Sequence, residues 1–181
     1  PHKWLPTTFD CSTLWVKDRR ALIEALSITP EYLRNAASES GAVVDYRDWQ
    51  IPLGRRFRAL KLWFVLRHYG AEGLRAHIRE HVRLAELAEA LVDADGRFER
   101  PAARCLGLVT FRLKGDNERT RTLMERVNAG GEAFFSHTVL TNAAAGAEGL
   151  YTIRMAIGST AATEADIRRA WDAVRREADR A

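Results

Sequence analysis

Apolar positions are regularly spaced in the second half of the chain and irregular in the first. Leu74, Ile78, Val82 and Ala85 recur at helical spacing with charged side chains between them, which predicts a helix over 71–94. Beyond Gly96, RFERP (97–101) and LGLVTFRLK (106–114) alternate as strands do. Residues 116–129 return to a helical period. AFFSHTVLT (133–141) and GLYTIRMAI (149–157) are strand-like again, with NAAAGAEG (142–149) as the turn region. Thr163 followed by Asp166 is a helix-start signature, and Ile167, Trp171 and Val174 place an apolar stripe on a last helix. The order β-β-α-β-β-α predicts a small α+β unit with an antiparallel sheet.

The first seventy residues give weaker signals. STLWV (12–16) reads as a short strand and DRRALIEAL (18–26) as a helix. Residues 27–49 are polar and rich in small side chains, with Pro30 and Gly41 as punctuation. A connection this long without periodicity is uncommon unless it is functional or mobile. After Pro52 and Gly54, RRFRALKLWFVLRHYG (55–70) has a helical period. Phe57, Leu60, Trp63, Phe64 and Leu66 cover more than a narrow stripe, which predicts a well-buried helix that Gly70 ends or bends.

The 181 residues are 46% hydrophobic and 29% charged, an ordinary globular composition sufficient for one or two compact units. No apolar run approaches the ~20 residues of a membrane helix, and the start lacks the pattern of a signal peptide. Cys11 and Cys105 are far apart and suit a reducing compartment. The expected location is cytoplasmic. The net charge of +4 peaks in Arg55, Arg56, Arg58 and Lys61 and again in Arg168, Arg169, Arg175 and Arg176. Glu164, Asp166, Asp172 and Glu177 interleave with the second cluster, so solvated helix faces and ion pairs are expected rather than a nucleic-acid surface. Neither nucleic acid nor membrane is an expected partner.

HIREH (77–81) has the H-x-x-E-H spacing of some zinc peptidases, and His77 and His81 would face one way on a helix. No further carboxylate ligand stands out, so an exposed helix face is expected and no metal. His68 reads as a packing residue, His137 within FFSHT as a packing residue or a pocket candidate, and Ser159 and Thr160 as a helix cap or an anion site. PHKW (1–4) is different in kind. A lysine can act as a covalent catalyst through a Schiff base, a histidine can contact a phosphate, and a tryptophan can wall off water. On these four residues alone, an extended stub with a solvated lysine remains the alternative.

PHKW, FDCSTLWVKDR (9–19), DYRDWQIPLGRRFRALKLWFVLRHYG (45–70) and LGLVTFRLKG (106–115) together resemble the C-terminal portion of the group II pyridoxal-phosphate decarboxylases. Within that group the chain is most similar to the aromatic-L-amino-acid decarboxylases. The resemblance covers essentially the whole chain and weakens after about residue 130. It implies an α/β, fold type I PLP-dependent transferase-like architecture. Residues 1–70 would end the cofactor-binding large domain, and 71–181 would be a small C-terminal α+β domain with an antiparallel sheet. It also implies a homodimer of polypeptides more than twice this length, with pyridoxal 5'-phosphate as cofactor.

By the same resemblance Lys3 is the Schiff-base lysine, His2 lies against the cofactor phosphate, and Trp4 and Gly54 belong to the substrate pocket. Tyr32 falls on the mobile catalytic loop, which reaches across the dimer interface, and would protonate the substrate carbon after CO2 leaves. Aldehyde synthases of the family often carry phenylalanine at that place, so Tyr32 points to simple decarboxylation. Histidine decarboxylases tend to carry serine at the place of Gly54, so glycine points to a bulkier ring. The implied reaction converts DOPA, 5-hydroxytryptophan, tryptophan, tyrosine or phenylalanine to its amine and CO2. The groups that tune the cofactor ring belong to the N-terminal part of such an enzyme, which is an implied partner. Without that part the LWV stretch and the 55–69 helix would be exposed. The alternatives are a non-catalytic dimerisation or regulatory module derived from such an enzyme and a related decarboxylase or aldehyde synthase of different substrate.

Overall fold

The computed structural model describes residues 1–141 and 148–180, in two units, Pro1–His68 and Tyr69–Ala181. In the first unit Asp18 starts helix α1 (Arg19–Leu26) by accepting a hydrogen bond from the Arg20 amide at 2.9 Å. The aperiodic stretch that follows folds into short pieces. They are a 3-10 turn at Glu31–Leu33, a single helical turn α2 (Ala36–Glu39) capped by Asn35, and a second 3-10 turn at Tyr46–Trp49.

Two expectations fail in this unit. Residues 12–16 form no strand, and Leu14 and Trp15 lie exposed. Alternation alone does not make a strand; it needs a neighbour, and among the described residues none pairs here. The helix after Gly54 forms from Arg58, but its broad apolar surface is not buried, which is the exposure the resemblance implies for this stretch without the N-terminal part. Phe57 is 73% and Phe64 58% exposed, and Trp63 and Leu66 are also open. Hydrophobicity all round a helix reports an affinity for cover, and the described residues of this unit do not supply the cover.

Helical residues Arg58–Asp93 (α3) are interrupted at Gly70, whose φ of 63° and ψ of 178° fit no helix and favour glycine. The later half of α3 belongs to the second unit and buries Leu74, Leu84, Ala85, Ala88 and Val92 along one stripe. His81 lies on that stripe, seven residues after Leu74 and four before Ala85, so HIREH is not an exposed face. His81 is 2% exposed, and its Nε2–H donates to the Ser159 carbonyl at 3.0 Å. The His77 and His81 rings are 4.1 Å apart between centroids. Among the described residues no group of three or more His, Cys, Asp or Glu is placed to hold a metal ion.

Four strands build the sheet: β1 (Phe98–Glu99), β2 (Leu108–Leu113), β3 (Ser136–Leu140) and β4 (Leu150–Ala156). Their order is β1-β2-β4-β3, antiparallel throughout. Register places Val109 opposite Met155 and Phe111 opposite Ile153. Helix α4 (Asn117–Gly130) starts at Asp116, which accepts from the Arg119 amide at 3.0 Å, and ends at Gly131 in the left-handed region. Helix α5 (Glu164–Ala178) starts on the capping box of Thr163 and Asp166 and buries Ile167, Trp171 and Val174. The expected β-β-α-β-β-α unit is therefore the one observed. The core centres on Phe111, whose ring meets Phe98, Phe135 and Trp171 edge-on at 5.5–5.9 Å. Of the expected turn NAAAGAEG, residues 142–147 lie outside the described residues. No helix among the described residues is long and apolar enough to cross a membrane.

Candidate active site

PHKW forms a turn. The Thr7 amide donates to the Pro1 carbonyl at 3.4 Å, and the Thr7 hydroxyl donates to the Leu5 carbonyl at 2.7 Å, which leaves Thr7 buried. His2 and Lys3 project into solvent and Trp4 is half-buried. The His2 ring meets the Phe9 ring edge-on at 5.3 Å and 85°.

The next residues are tied to the start of α3. Lys61 Nζ donates to the carbonyls of Thr8 at 3.4 Å and Phe9 at 3.2 Å. Arg58 Nε donates to Asp10 Oδ2 at 2.9 Å, and Cys11 Sγ lies 3.8 Å from the Arg58 carbonyl. The hydrogen bond from Arg58 holds the Asp10 carboxyl below its ordinary value, with the charges of Arg58 and Lys61 acting the same way.

Tyr32 sits on the 3-10 turn Glu31–Leu33 and is 80% exposed. It borders a cleft of about 200 Å³ whose apolar wall includes Leu26, Ile28, Leu33 and Ile51. The turn is anchored by Arg47, whose side chain is only 13% exposed. Arg47 Nη1 donates to the Leu33 carbonyl at 3.1 Å, and Nε lies 3.2 Å from Asp45 and 3.5 Å from Asp48. Gly54 is exposed; its carbonyl accepts from Gln50 Nε2 at 3.1 Å. A Cβ at Gly54 would meet no heavy atom within 4 Å, so the glycine borders open space.

Three of the five expected site residues, His2, Lys3 and Trp4, thus share one turn. Tyr32 and Gly54 lie on the stretch between α1 and α3. Among the described residues no hydrogen bond, ion pair or ring contact joins His2 or Lys3 to Tyr32 or Gly54. Arg47, Asp10, Arg58 and Lys61 were not among the expected site residues. The signal for Arg47 was local: DYRDW sets one arginine between two aspartates. Asp10 and Arg58 are 48 residues apart, and nothing in the sequence pairs them.

Residues 1–114 match the family model described as the pyridoxal-dependent decarboxylase conserved domain. Tyrosine decarboxylase 2 of Narcissus pseudonarcissus is 51% identical over 177 residues, which is 94% of this chain and 34% of that protein. Phenylacetaldehyde synthase of Arabidopsis thaliana is 48% identical over 184 residues, 98% of this chain and 36% of that protein. The crystal structure of Oryza sativa TDC with PLP and tryptamine superposes with a TM-score of 0.91 at 41% identity. It covers 99% of this chain and 38% of that one. The chain spans about a third of the length of the curated relatives it matches.

Proposed function

Because the chain belongs to the pyridoxal-dependent decarboxylase family, we propose that it carries the lysine turn and the catalytic loop of an enzyme that converts aromatic L-amino acids to amines and CO2. The observation that carries this reading is the PHKW turn. It presents the amine of Lys3 to solvent beside the His2 imidazole, with the Trp4 indole next in the turn. That donor set fits pyridoxal phosphate: a primary amine for the aldehyde, an imidazole for the phosphate, and an indole to shield the bond from water. Lys3 would hold the cofactor covalently and His2 would lie at its phosphate. When bound, pyridoxal phosphate supplies the electron sink for the bond between the substrate α-carbon and its carboxylate.

The remaining work falls to the protein. Tyr32 delivers the proton to the α-carbon after CO2 departs. Its phenol is free for that task, because Arg47 anchors the turn at Leu33 and leaves the ring outside. Closure of the 27–49 stretch over the site excludes water. Tyr32 acts in the partner subunit of a homodimer, consistent with its lack of contact with Lys3. Gly54 leaves room for a large substrate ring, and relatives that act on tyrosine support an aromatic substrate. Leu14, Trp15, Phe57 and Phe64 are covered by the rest of the enzyme, which works in the cytoplasm.

An aldehyde synthase is the second reading, and the Arabidopsis relative is the observation that favours it. Tyr32 tips the choice toward decarboxylation. In the full-length enzyme, Lys3→Ala is expected to abolish the visible absorbance of bound pyridoxal phosphate together with CO2 release. Tyr32→Phe is expected to keep the cofactor and divert product from amine to aldehyde. If neither change alters the product, the reading is overturned.

A further inference from the structure

We propose that Gln50 is a specificity-determining positioning residue: its carboxamide fixes the backbone of Gly54 and thereby the room left for the substrate ring. The inference rests on the reading of Gly54 and Tyr32 above and adds to it the group that orders Gly54.

The backbone around Gly54 has few ties to itself. Residues 51–55 make no backbone–backbone hydrogen bond among the described residues, and Pro52 has no amide hydrogen to give. Gly54 has no side chain with which to hold its own conformation. Gln50 meets both needs. Its Nε2 donates to the Pro52 carbonyl at 2.7 Å and to the Gly54 carbonyl at 3.1 Å, which uses both N–H groups of the carboxamide. Arg55 closes the same loop from its far end, with its guanidinium 5.0 Å from the centroid of the Tyr46 ring. Tyr46 and Arg47 belong to the 3-10 turn Tyr46–Trp49, and Arg47 anchors the Tyr32 turn at the Leu33 carbonyl. One short turn thus mounts two parts of the expected site and divides the labour. Arg47 serves the tyrosine that delivers the proton, and Gln50 serves the glycine that borders the ring. Each tie joins residues of this chain at most 14 apart, so none of them requires the stretch to be open to solvent. Cover from the rest of the enzyme excludes competing water and strengthens them.

The test is steady-state kinetics of the full-length enzyme with L-tryptophan, L-tyrosine and L-phenylalanine, reading KM, or Ki for one that binds without turning over. Gln50→Met removes both donors at nearly constant volume. It is expected to raise the constant about tenfold for L-tryptophan and less than about threefold for L-phenylalanine, with kcat within about twofold and amine still the product. Gln50→Glu keeps the length of the side chain but cannot donate when ionised. It is expected to do the same, so the idea remains testable if Gln50→Met fails to fold. Gln50→Lys puts N–H donors back and is expected to restore most of the affinity. Unmoved constants in both donorless variants, equal losses for large and small rings, a kcat loss as large as the change in KM, or no rescue by Gln50→Lys would overturn the role of Gln50. A wild-type enzyme that makes no amine from any of the three, or a Lys3→Ala enzyme that keeps its visible absorbance band, would sink the underlying reading and this role with it. A wild type that makes amine, loses its band on Lys3→Ala and is indifferent to both donorless variants removes the role of Gln50 alone.

Discussion

In residues 69–181, Leu84, Val92, Val109, Phe111, Leu123, Ile153 and Val174 are fully enclosed in a continuous core. In residues 1–68, Trp15, Ile28, Ile51 and Phe57 stand in solvent, and order comes from polar clamps: Arg47 on Leu33, Arg58 on Asp10, Lys61 on Thr8 and Phe9. Burying one large apolar side chain is worth about 1.5–3 kcal/mol, whereas a solvent-exposed clamp such as that of Lys61 is worth a fraction of that. The second unit has the means to hold itself together. The first, which carries every expected site residue, leaves large apolar side chains in solvent. Surface ion pairs rim the second unit, such as Arg100 with Glu89 and Asp93 and Arg104 with Glu86 and Glu89, whereas the first unit sets exposed charges beside large exposed apolar side chains.

The largest effect that would sharpen this contrast lies in the core. Phe111→Ala is expected to cost about 3–5 kcal/mol, read as a fall in the urea midpoint. A cost below roughly 1 kcal/mol would break the contrast from the strong side. Arg47→Met comes next: turnover of the full-length enzyme is expected to fall about tenfold while the urea midpoint of residues 69–181 holds, because the clamp orders a loop rather than a core. Thr163→Ala removes half of a capping box, and a loss of about 1 kcal/mol in the same denaturation assay is expected.

A pH series tests the charged rim. Hydrogen bonds from Arg97 to Asp95 and from Thr163 to Asp166 hold both carboxyls below the ordinary aspartate value of 3.8. A depressed folded-state value means that the stabilisation is complete above that ordinary value and is lost as pH falls through the folded ones. The urea midpoint is therefore expected to be level from neutral pH to about 5 and to drop below about 4, with a shallower drop in Asp95→Asn. The smallest effect belongs to the open face. In the isolated 181-residue chain, Trp15→Ser is expected to move stability by less than about 0.5 kcal/mol while reducing self-association in sedimentation. A core-sized loss there would show that Trp15 is already covered within these residues.

The second unit was legible in the sequence because its signals are local and agree. The Thr163–Asp166 box, the stripe of Ile167, Trp171 and Val174, and the alternation in LGLVTFRLK each point to one outcome. His81 was misjudged because a histidine pair at i, i+4 suggests a polar face, although the register from Leu74 to Ala85 placed it inside. In the first unit the residues that chemistry needs were legible as a motif. Their supports were not, since the Asp10–Arg58 pair and the Arg47 anchor depend on chain reversals that no periodicity marks. Residues 12–16 and 57–66 failed for one shared reason. Apolar pattern reports what a segment needs, and the partner that meets the need is a separate fact.

The strand order β1-β2-β4-β3 also sets a timetable. β4, the last of these four strands along the chain, sits between β2 and β3, and Leu108 pairs with Ala156. At about 5–20 residues per second, β2 waits several seconds for that partner to leave the ribosome. Through that interval Val109, Phe111 and Leu113 have no β4 to close over them, and the open face of the first unit has already been made. The β2 side chains therefore stay open to chaperones from the emergence of β2 until at least that of β4.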